Sequence, residues 1–321
     1  MSYYRKFSRY LKEKYGARVH KIPLQGGFYC PNRDGRLSSK GCVFCDVYGS
    51  GPLTLNPPPI REQIIEGIRR ASRRYKAKYF IAYFQAFTNT YEQWEKLERT
   101  YKEATSLPEI VGLAIGTRPD CVPEEVLKGL EKLAEDKELW LELGLESAHL
   151  KSLKFMNRNH GLAEFIDAVL RTKRRKGIKI CAHVIIGLPG EGREAVIETA
   201  RVLTALGVDG VKIHPLHVLR NTELERLYKK GEIELLSLEE YVSLAVDFME
   251  HLKEEIIICR LTGERDPSLF VAPSWCLEKQ KILQAIDQEF ERRGSRQGVK
   301  ASLGLSYPEC RPLRNPVKFR E

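Results

Sequence analysis

The sequence has no apolar run close to the roughly 18 residues that a transmembrane helix needs, so we expect no membrane partner. It begins MSYYRKFSRY, without the apolar segment of a secretory signal, and this start favours a cytoplasmic location. It also contains no low-complexity segment and no internal repeat beyond an alternation of strand-like and helix-like stretches. With 42% hydrophobic and 30% charged residues among 321, the chain can bury a sizeable core and is not expected to be disordered.

The charge is moderately basic, since 53 Lys and Arg residues stand against 43 Asp and Glu residues and give a net charge of +10. An excess of this sign favours a polyanionic partner, nucleic acid first, although a solvated basic surface explains it equally well. Aromatic and basic residues alternate in the first ten positions. That pattern fits either stacking on RNA or an amphipathic helix with a buried aromatic face.

Strand-like and helix-like segments alternate along the first 220 residues. The predicted strands lie near Val19–Leu24, Tyr79–Phe84, Ile110–Ile115, Leu139–Leu145, Ile178–Ile186 and Gly210–His214. The predicted helices between them are Pro59–Tyr75, Tyr91–Thr105, Pro123–Ala134, Leu162–Lys176 and Glu191–Leu206. Because this alternation requires right-handed parallel crossovers, it predicts an α/β fold, a partial (β/α)6 TIM-type barrel over residues 1–220.

The pattern changes after about residue 220. Residues 221–306 are predicted to form a mainly helical extension packed on the barrel, with helices at Leu238–Lys253 and Trp275–Arg293 around a short strand at Ile256–Cys259. Residues 307–321 form a basic tail rich in Pro and Arg.

Three of the eight cysteines cluster on one loop after the first predicted strand. Cys30, Cys42 and Cys45 have the spacing C-x11-C-x2-C, and the loop offers no fourth Cys or His. A structural zinc site takes four ligands, whereas three thiolates suit a [4Fe–4S] cluster that leaves one iron open to an exogenous ligand. A zinc site completed by a distant residue and plain buried thiols are the alternatives. Phe44 offers an aromatic wall beside the open position.

Polar residues follow the ends of successive predicted strands, where barrel enzymes place their chemistry. Gln85, Thr117 and Glu146 follow the second, third and fourth strands. Arg158 can clamp a carboxylate with two parallel hydrogen bonds, and Gly187 lets a flat ring approach the backbone. Each of these residues alone is also explained by helix capping, a turn or the surface. Their joint occurrence at successive strand ends favours a ligand site.

Together these segments resemble the radical S-adenosylmethionine (SAM) superfamily, and within it the YhcC/YtqA-like subfamily. This subfamily is related to the radical SAM domain of Elongator and to oxygen-independent coproporphyrinogen oxidase. The resemblance covers residues 1 to about 300 and is carried by CPNRDG (Cys30–Gly35), FQAFTNTY (Phe84–Tyr91), GTRPD (Gly116–Asp120), ELGLES (Glu142–Ser147), NRNH (Asn157–His160), IIGLPGE (Ile185–Glu191) and VKIHPLHVLRNTEL (Val211–Leu224).

The resemblance implies that Cys30, Cys42 and Cys45 hold a [4Fe–4S] cluster and that the amino and carboxylate groups of SAM chelate its open iron. The residues implied to contact SAM are Phe44, Gln85, Ala86, Thr117, Glu146, Arg158, His183 and Gly187. Reductive cleavage of SAM would then give a 5′-deoxyadenosyl radical that abstracts hydrogen from a substrate. We accordingly expect an oxygen-sensitive protein served by a reducing electron donor such as flavodoxin or ferredoxin.

Four residues are candidates for the substrate side of the site. Lys212, His214 and His217 surround the end of the sixth strand, and Arg260 comes from the extension. As catalytic residues they would bind an anionic substrate or move protons. Capping, rim packing and a structural ion pair are the alternatives.

The basic charge and the resemblance to Elongator-like members favour tRNA as the substrate, modified at the side chain of a wobble uridine. A small anionic metabolite or a tetrapyrrole-like molecule is the alternative substrate for the same chemistry. A protein of another class, a non-catalytic zinc or iron–sulfur RNA-binding or scaffold protein, is the competing function. No DNA partner is expected.

Overall fold

The structure is a computed structural model that describes residues 2–49, 51, 54, 56–263 and 265–301. The predicted tail at 307–321 lies outside the described residues. Over the described ranges, none of the helices combines the length and the apolar character needed to cross a membrane.

Strands and helices alternate through most of the described chain. The strands are Val19–Leu24 (β1), Tyr79–Phe84 (β2), Ile110–Thr117 (β3), Glu138–Glu146 (β4), Ile178–Ile186 (β5), Gly210–Pro215 (β6), Val218–Leu219 (β7), Ile257–Arg260 (β8) and Phe270–Ala272 (β9). The α-helices are Phe7–Tyr15 (α1), Ile60–Tyr75 (α2), Trp94–Ala104 (α3), Glu124–Leu133 (α4), Leu150–Phe155 (α5), Leu162–Lys173 (α6), Arg193–Leu206 (α7), Glu223–Lys229 (α8), Leu238–Glu250 (α9) and Lys279–Arg293 (α10).

One parallel sheet organises the molecule, with the strand order β1-β2-β3-β4-β5-β6-β8. The predicted α/β class and partial barrel are confirmed, and the six predicted strands are all present. The seventh strand, β8, comes from the extension, where a short strand was predicted but was not assigned to the barrel sheet. Strand β8 pairs with β6. This pairing places Arg260 of β8 at the same end of the sheet as His214 of β6. The boundary near residue 220 stays a prediction.

The two faces of the sheet have different partners. Outward-facing side chains such as Leu113, Leu141 and Val211 join the core formed with the helices. Inward-facing side chains such as Ala114 and Trp140 meet inside the half-barrel. This alternation follows from the two-residue period of a β-strand.

Helix α1 closes the inner face at the amino ends of the strands. Phe7 is buried against Trp140, with ring centroids 5.2 Å apart in an edge-on arrangement. The Tyr10 hydroxyl donates to Glu138 at 2.7 Å, and the Ile258 N–H donates to the Arg5 carbonyl at 2.8 Å beside β8. The N-terminal segment therefore buries part of its aromatic face, as the amphipathic-helix interpretation predicts.

The extension also reaches the open end of the half-barrel. Strand β7 pairs with β9 in a small antiparallel sheet, and the Arg220 N–H donates to the Leu269 carbonyl at 2.7 Å. On the outside, α9 packs between α7 and α10. The predicted helix Trp275–Arg293 is divided, because a 3-10 turn at Ser274–Leu277 precedes α10.

Replacing Phe7 by alanine should lower the free energy of unfolding by about 3 kcal/mol, because it removes a buried ring and leaves a cavity below Trp140. Urea denaturation followed by circular dichroism measures the change. Lys12→Ala, on the exposed side of the same helix, is the matched control. Equal stability of the two variants would show that α1 does not close the barrel.

Candidate functional site

A cavity opens at the carboxyl ends of the strands, between the sheet and the cysteine loop (residues 30–45). Cys30, Cys42 and Cys45 line its wall as free thiols, with Phe44 beside them. The sequence-predicted cysteine cluster is thus brought to the strand ends where the polar residues were predicted.

Backbone and side-chain hydrogen bonds fix the cysteine loop. Asn32 donates from Nδ2 to the Asn157 carbonyl at 2.6 Å and approaches Cys42 Sγ at 3.4 Å. Arg33 Nη2 donates to the carbonyls of Cys45 and Asp46, each at 2.7 Å. These hydrogen bonds therefore connect the cysteine loop to the segment that contains Asn157 and to its own backbone.

Three thiols on the cavity wall bear on the two metal interpretations. A closed structural zinc site takes four ligands. Cys30, Cys42 and Cys45 are three, and among the described residues they do not form a compact group of ligand atoms within 4.8 Å of one another. Three cysteine ligands suit a polynuclear iron–sulfur cluster that leaves one iron open.

Arg158 connects the cysteine loop to β4. Its Nη1 approaches Cys42 Sγ at 3.4 Å, its Nη2 donates to the Gly144 carbonyl at 2.8 Å, and it pairs with Glu146 at 3.4 Å. Its Nε donates at 3.1 Å to His160, whose pKa is lowered to about 2 by burial and by the neighbouring guanidinium. Donors to a ligating sulfur stabilise the thiolate and tune the potential of a cluster, so Arg158 is well placed for that role.

Two further arginines fix the rim of the cavity: Arg118, which lies in the strand-end segment GTRPD, and Arg265, which the sequence did not point to. Arg118 makes two hydrogen bonds of 2.9 Å to Asp120 and donates to the Arg158 carbonyl at 2.7 Å. Arg265 pairs with Asp46 and donates to the Gly51 carbonyl at 2.7 Å, which joins the extension to the end of the cysteine loop. Arg118 contacts Asp120 in the following turn and Arg158 far along the chain, and Arg265 contacts residues more than 200 positions away. No sequence spacing predicts these contacts.

Most of the predicted SAM contacts share this cavity. The residues on its wall are Phe44, Gln85, Thr117, Glu146, Arg158 and His183. Ala86 and Gly187 do not line it. Ala86 is buried under Gly51, and Gly187 has a φ of 96° that favours glycine, with Leu236 where a side chain would lie. Contact of these two residues with SAM stays a prediction, and the backbone conformation at Gly187 by itself favours a glycine.

The four predicted substrate-side residues divide in the same way. His214, His217 and Arg260 line the cavity and are named here the basic wall. Lys212 lies behind the wall, where its Nζ donates to the Tyr83 hydroxyl at 2.9 Å and pairs with Glu142. The role of Lys212 toward a substrate stays a prediction; in the structure its Nζ is engaged by Tyr83 and Glu142.

Glu142 is the residue whose role the sequence analysis missed. It is fully buried inside the half-barrel, 2.6 Å from Lys21 Nζ and 3.0 Å from His183 Nε2, and it also pairs with Lys212. Burial alone would raise the pKa of its carboxyl group, but Lys21 and Lys212 outweigh burial and hold this pKa well below its usual range. A charged residue in the otherwise apolar run Leu139–Leu145 was the available signal.

Glu142 also belongs to a group of possible metal ligands with Cys181 and His183. Because Lys21 and Lys212 both pair with its carboxylate, the group is already charge-compensated. A cation would have to displace these ammonium groups, so the cluster of three does not make a second metal site.

The histidines of the cavity are uncharged at neutral pH. Burial lowers the pKa of His183 and of His217 to about 4 in each case. His217 Nδ1 donates to the Pro215 carbonyl at 3.0 Å, and the ring stacks on Phe270 with centroids 5.5 Å apart. His183 Nε2 donates to Glu142. Each ring therefore keeps one nitrogen as a hydrogen-bond acceptor.

Comparison with known families explains this arrangement. A family model described as the radical SAM superfamily matches residues 30–203, and a second, the radical SAM C-terminal domain, matches residues 208–292. The chain is 40% identical over 296 residues to the uncharacterized protein YtqA of Bacillus subtilis, covering 92% of each chain.

A relative with a named activity matches only part of the chain. The tRNA uridine(34) acetyltransferase of Methanocaldococcus infernus is 30% identical over 156 residues, which are 48% of this chain and 28% of that protein. The solved structure of an N-terminally deleted Elp3 from the same archaeon has a TM-score of 0.64 and 18% identity, covering 87% of this chain and 64% of that one. The second comparison shows a shared fold.

Replacing Cys42 by alanine should remove the metal centre, because two thiolates cannot hold a cluster that needs three. Iron and acid-labile sulfide, measured after anaerobic reconstitution, should fall from about four of each per chain to near zero. Cys259→Ala, which changes a half-buried cysteine on β8, is the control and should keep its iron. Full iron content in Cys42→Ala would refute the ligand assignment.

His217 should stay uncharged between about pH 5.5 and 8, because its pKa is lowered to about 4. Burial is the largest cause; the Pro215 carbonyl and Asp46 oppose the lowering, and Arg260 and Arg265 add to it. The ring signal in a spectrum of 13C-histidine-labelled protein, assigned with His217→Gln, should not move over this range. A titration midpoint near 6.5 would contradict the described environment.

Proposed function

Because the chain belongs to the radical SAM superfamily, we propose that it is an enzyme that abstracts hydrogen from the side chain of a wobble uridine in tRNA. Members of the superfamily use a [4Fe–4S] cluster together with SAM. When bound, these cofactors supply a 5′-deoxyadenosyl radical. The observation that carries the proposal for this chain is that three free thiols share the wall of one cavity at the strand ends.

The chain's own residues would bind SAM at the sulfur side of that cavity. Glu146 and Arg158 form a buried pair 3.4 Å apart, which presents one negative and one positive group. The amino acid part of SAM carries an ammonium and a carboxylate, and the pair complements both charges. Phe44 and Thr117 complete this side of the wall.

A dry, enclosed site favours radical chemistry, since it excludes water and competing hydrogen donors. The barrel closes the inner end of the cavity, where Tyr83 and Glu142 are buried on its wall and Lys212 is buried behind them. The β7–β9 sheet covers the rim near His217. These residues would orient the substrate and keep the reacting groups apart from solvent.

The choice of tRNA rests on two supports. The net charge of +10 suits an RNA partner. The relative whose name is tRNA uridine(34) acetyltransferase shares 30% identity with almost half of this chain. A reducing protein such as flavodoxin or ferredoxin would supply the electron, and a cytoplasmic location would suit an oxygen-sensitive cluster.

The proposal is tested by anaerobic release of 5′-deoxyadenosine from reconstituted enzyme, SAM and a reductant. Bulk undermodified tRNA should stimulate release several-fold and acquire a nucleoside of new mass, while the same tRNA digested to nucleosides should not stimulate it. Cys42→Ala is the control for cluster-independent breakdown of SAM. If 5′-deoxyadenosine is released at the same rate with and without tRNA, tRNA is rejected as the substrate but the enzyme class stands. If an intact cluster releases no 5′-deoxyadenosine, the catalytic function is rejected.

A further inference from the structure

Three cations and one carboxylate meet inside the half-barrel. Lys21 and Lys212 come from β1 and β6 and both pair with Glu142 of β4. The side chains of Glu142 and Lys212 are 0% and 4% exposed, so the pair is buried. Arg260, at the carboxyl end of β8, is the third cation. We name these four residues the charged floor.

The charged floor is not neutral. Glu142 can balance one lysine, and the other contacts of Lys21 are the rings of Phe7 and Tyr83, at 4.8 and 5.0 Å from its Nζ. Among the described residues, no carboxylate lies within ion-pair distance of the Arg260 guanidinium. Among the described residues of the charged floor, positive charge therefore exceeds negative charge.

Arg260 is also the least satisfied member of the floor. Its Nη2 lies 3.0 and 2.8 Å from the two ring nitrogens of His214, so it rests against a histidine rather than on an anion. Its Nε is buried and has no hydrogen-bond partner among the described residues. Burial and then Arg260 itself hold the pKa of His214 well below its usual range, so the ring is neutral and adds no further positive charge.

An uncompensated charge and an unpartnered donor are both unfavourable away from water, and a bound anion would relieve both. We propose that the basic wall binds an anionic group of the substrate, a phosphate or a carboxylate, with Arg260 as its charged partner. This inference rests on the proposed radical SAM function, because it names the chemistry of the substrate for that same cavity.

The residues of the basic wall and of the charged floor have different roles in the proposed anion binding. Arg260, His214 and His217 line the cavity and can touch the anion. Lys212 lies behind Tyr83, with its Nζ 4.1 Å from the ring centroid, and contributes through its positive field. Glu142 fixes that lysine and prevents the floor from carrying three uncompensated cations.

Calorimetry on the cluster-loaded, SAM-saturated enzyme tests the anion site directly, with uridine 5′-monophosphate, uridine and succinate as probes. Wild-type enzyme should bind uridine 5′-monophosphate about tenfold more tightly than uridine, a difference of about 1.4 kcal/mol. Arg260→Gln should abolish this difference, and Arg260→Lys should retain part of it. Arg226→Gln, at an exposed ion pair on α8, is the matched control and should behave as wild type.

The other probes separate the sources of the anion. Succinate binding that depends on Arg260, without any gain for uridine 5′-monophosphate, would support the site and identify its ligand as a carboxylate. Probe affinities that are equal in wild type and in folded, iron-containing Arg260→Gln would overturn the proposal. Loss of SAM affinity in Arg260→Gln would overturn it too, since the arginine would then serve the cofactor.

The same variants distinguish this proposal from the tRNA substrate. If the anion binds through Arg260 but tRNA does not stimulate release of 5′-deoxyadenosine, the anion site stands and the tRNA proposal fails. If tRNA stimulates Arg260→Gln and wild type to the same extent with the same KM, the tRNA proposal stands and the anion site fails.

Discussion

The ion pairs of Glu142 are the interaction on which the site depends, because they connect three strands across the inside of the half-barrel. A carboxylate in this interior is tolerated only when cations neutralise it, and Lys21 and Lys212 provide them from β1 and β6. The same carboxylate orients His183 at the cavity wall. Glu142 therefore contributes to the charge of the inner end of the cavity and to the orientation of His183 on its wall.

The cysteine loop is organised by a second set of contacts, centred on Arg158. This guanidinium touches Cys42, Glu146 and the carbonyl of Gly144, so that the sulfur ligands and the end of β4 keep a fixed relation. Since Arg118 donates to the Arg158 carbonyl, the end of β3 is tied to the same point. A site built on strand ends is rigid in a way that a free loop is not, and a radical reaction requires that rigidity.

Much of this architecture could be predicted from the sequence, because apolar runs and helix periodicity are local signals. The strand β8 was harder to assign, since Ile257–Arg260 is too short to show alternation and its pairing with β6 is not local. The role of Glu142 depends on two lysines more than 60 residues away on either side, which no spacing rule connects. Gly187 shows the opposite difficulty, because the sequence suggests a ligand contact where the positive φ of the residue is by itself a reason for glycine.

We propose that Cys30, Cys42 and Cys45 hold an iron–sulfur cluster with one iron open to SAM in the cavity at the strand ends. Electron paramagnetic resonance of the anaerobically reduced protein, recorded before and after addition of SAM, tests it most directly. We expect the signal of a reduced [4Fe–4S] cluster whose g values change when SAM binds. A signal that SAM leaves unchanged, or a colourless zinc protein without a signal, would contradict it.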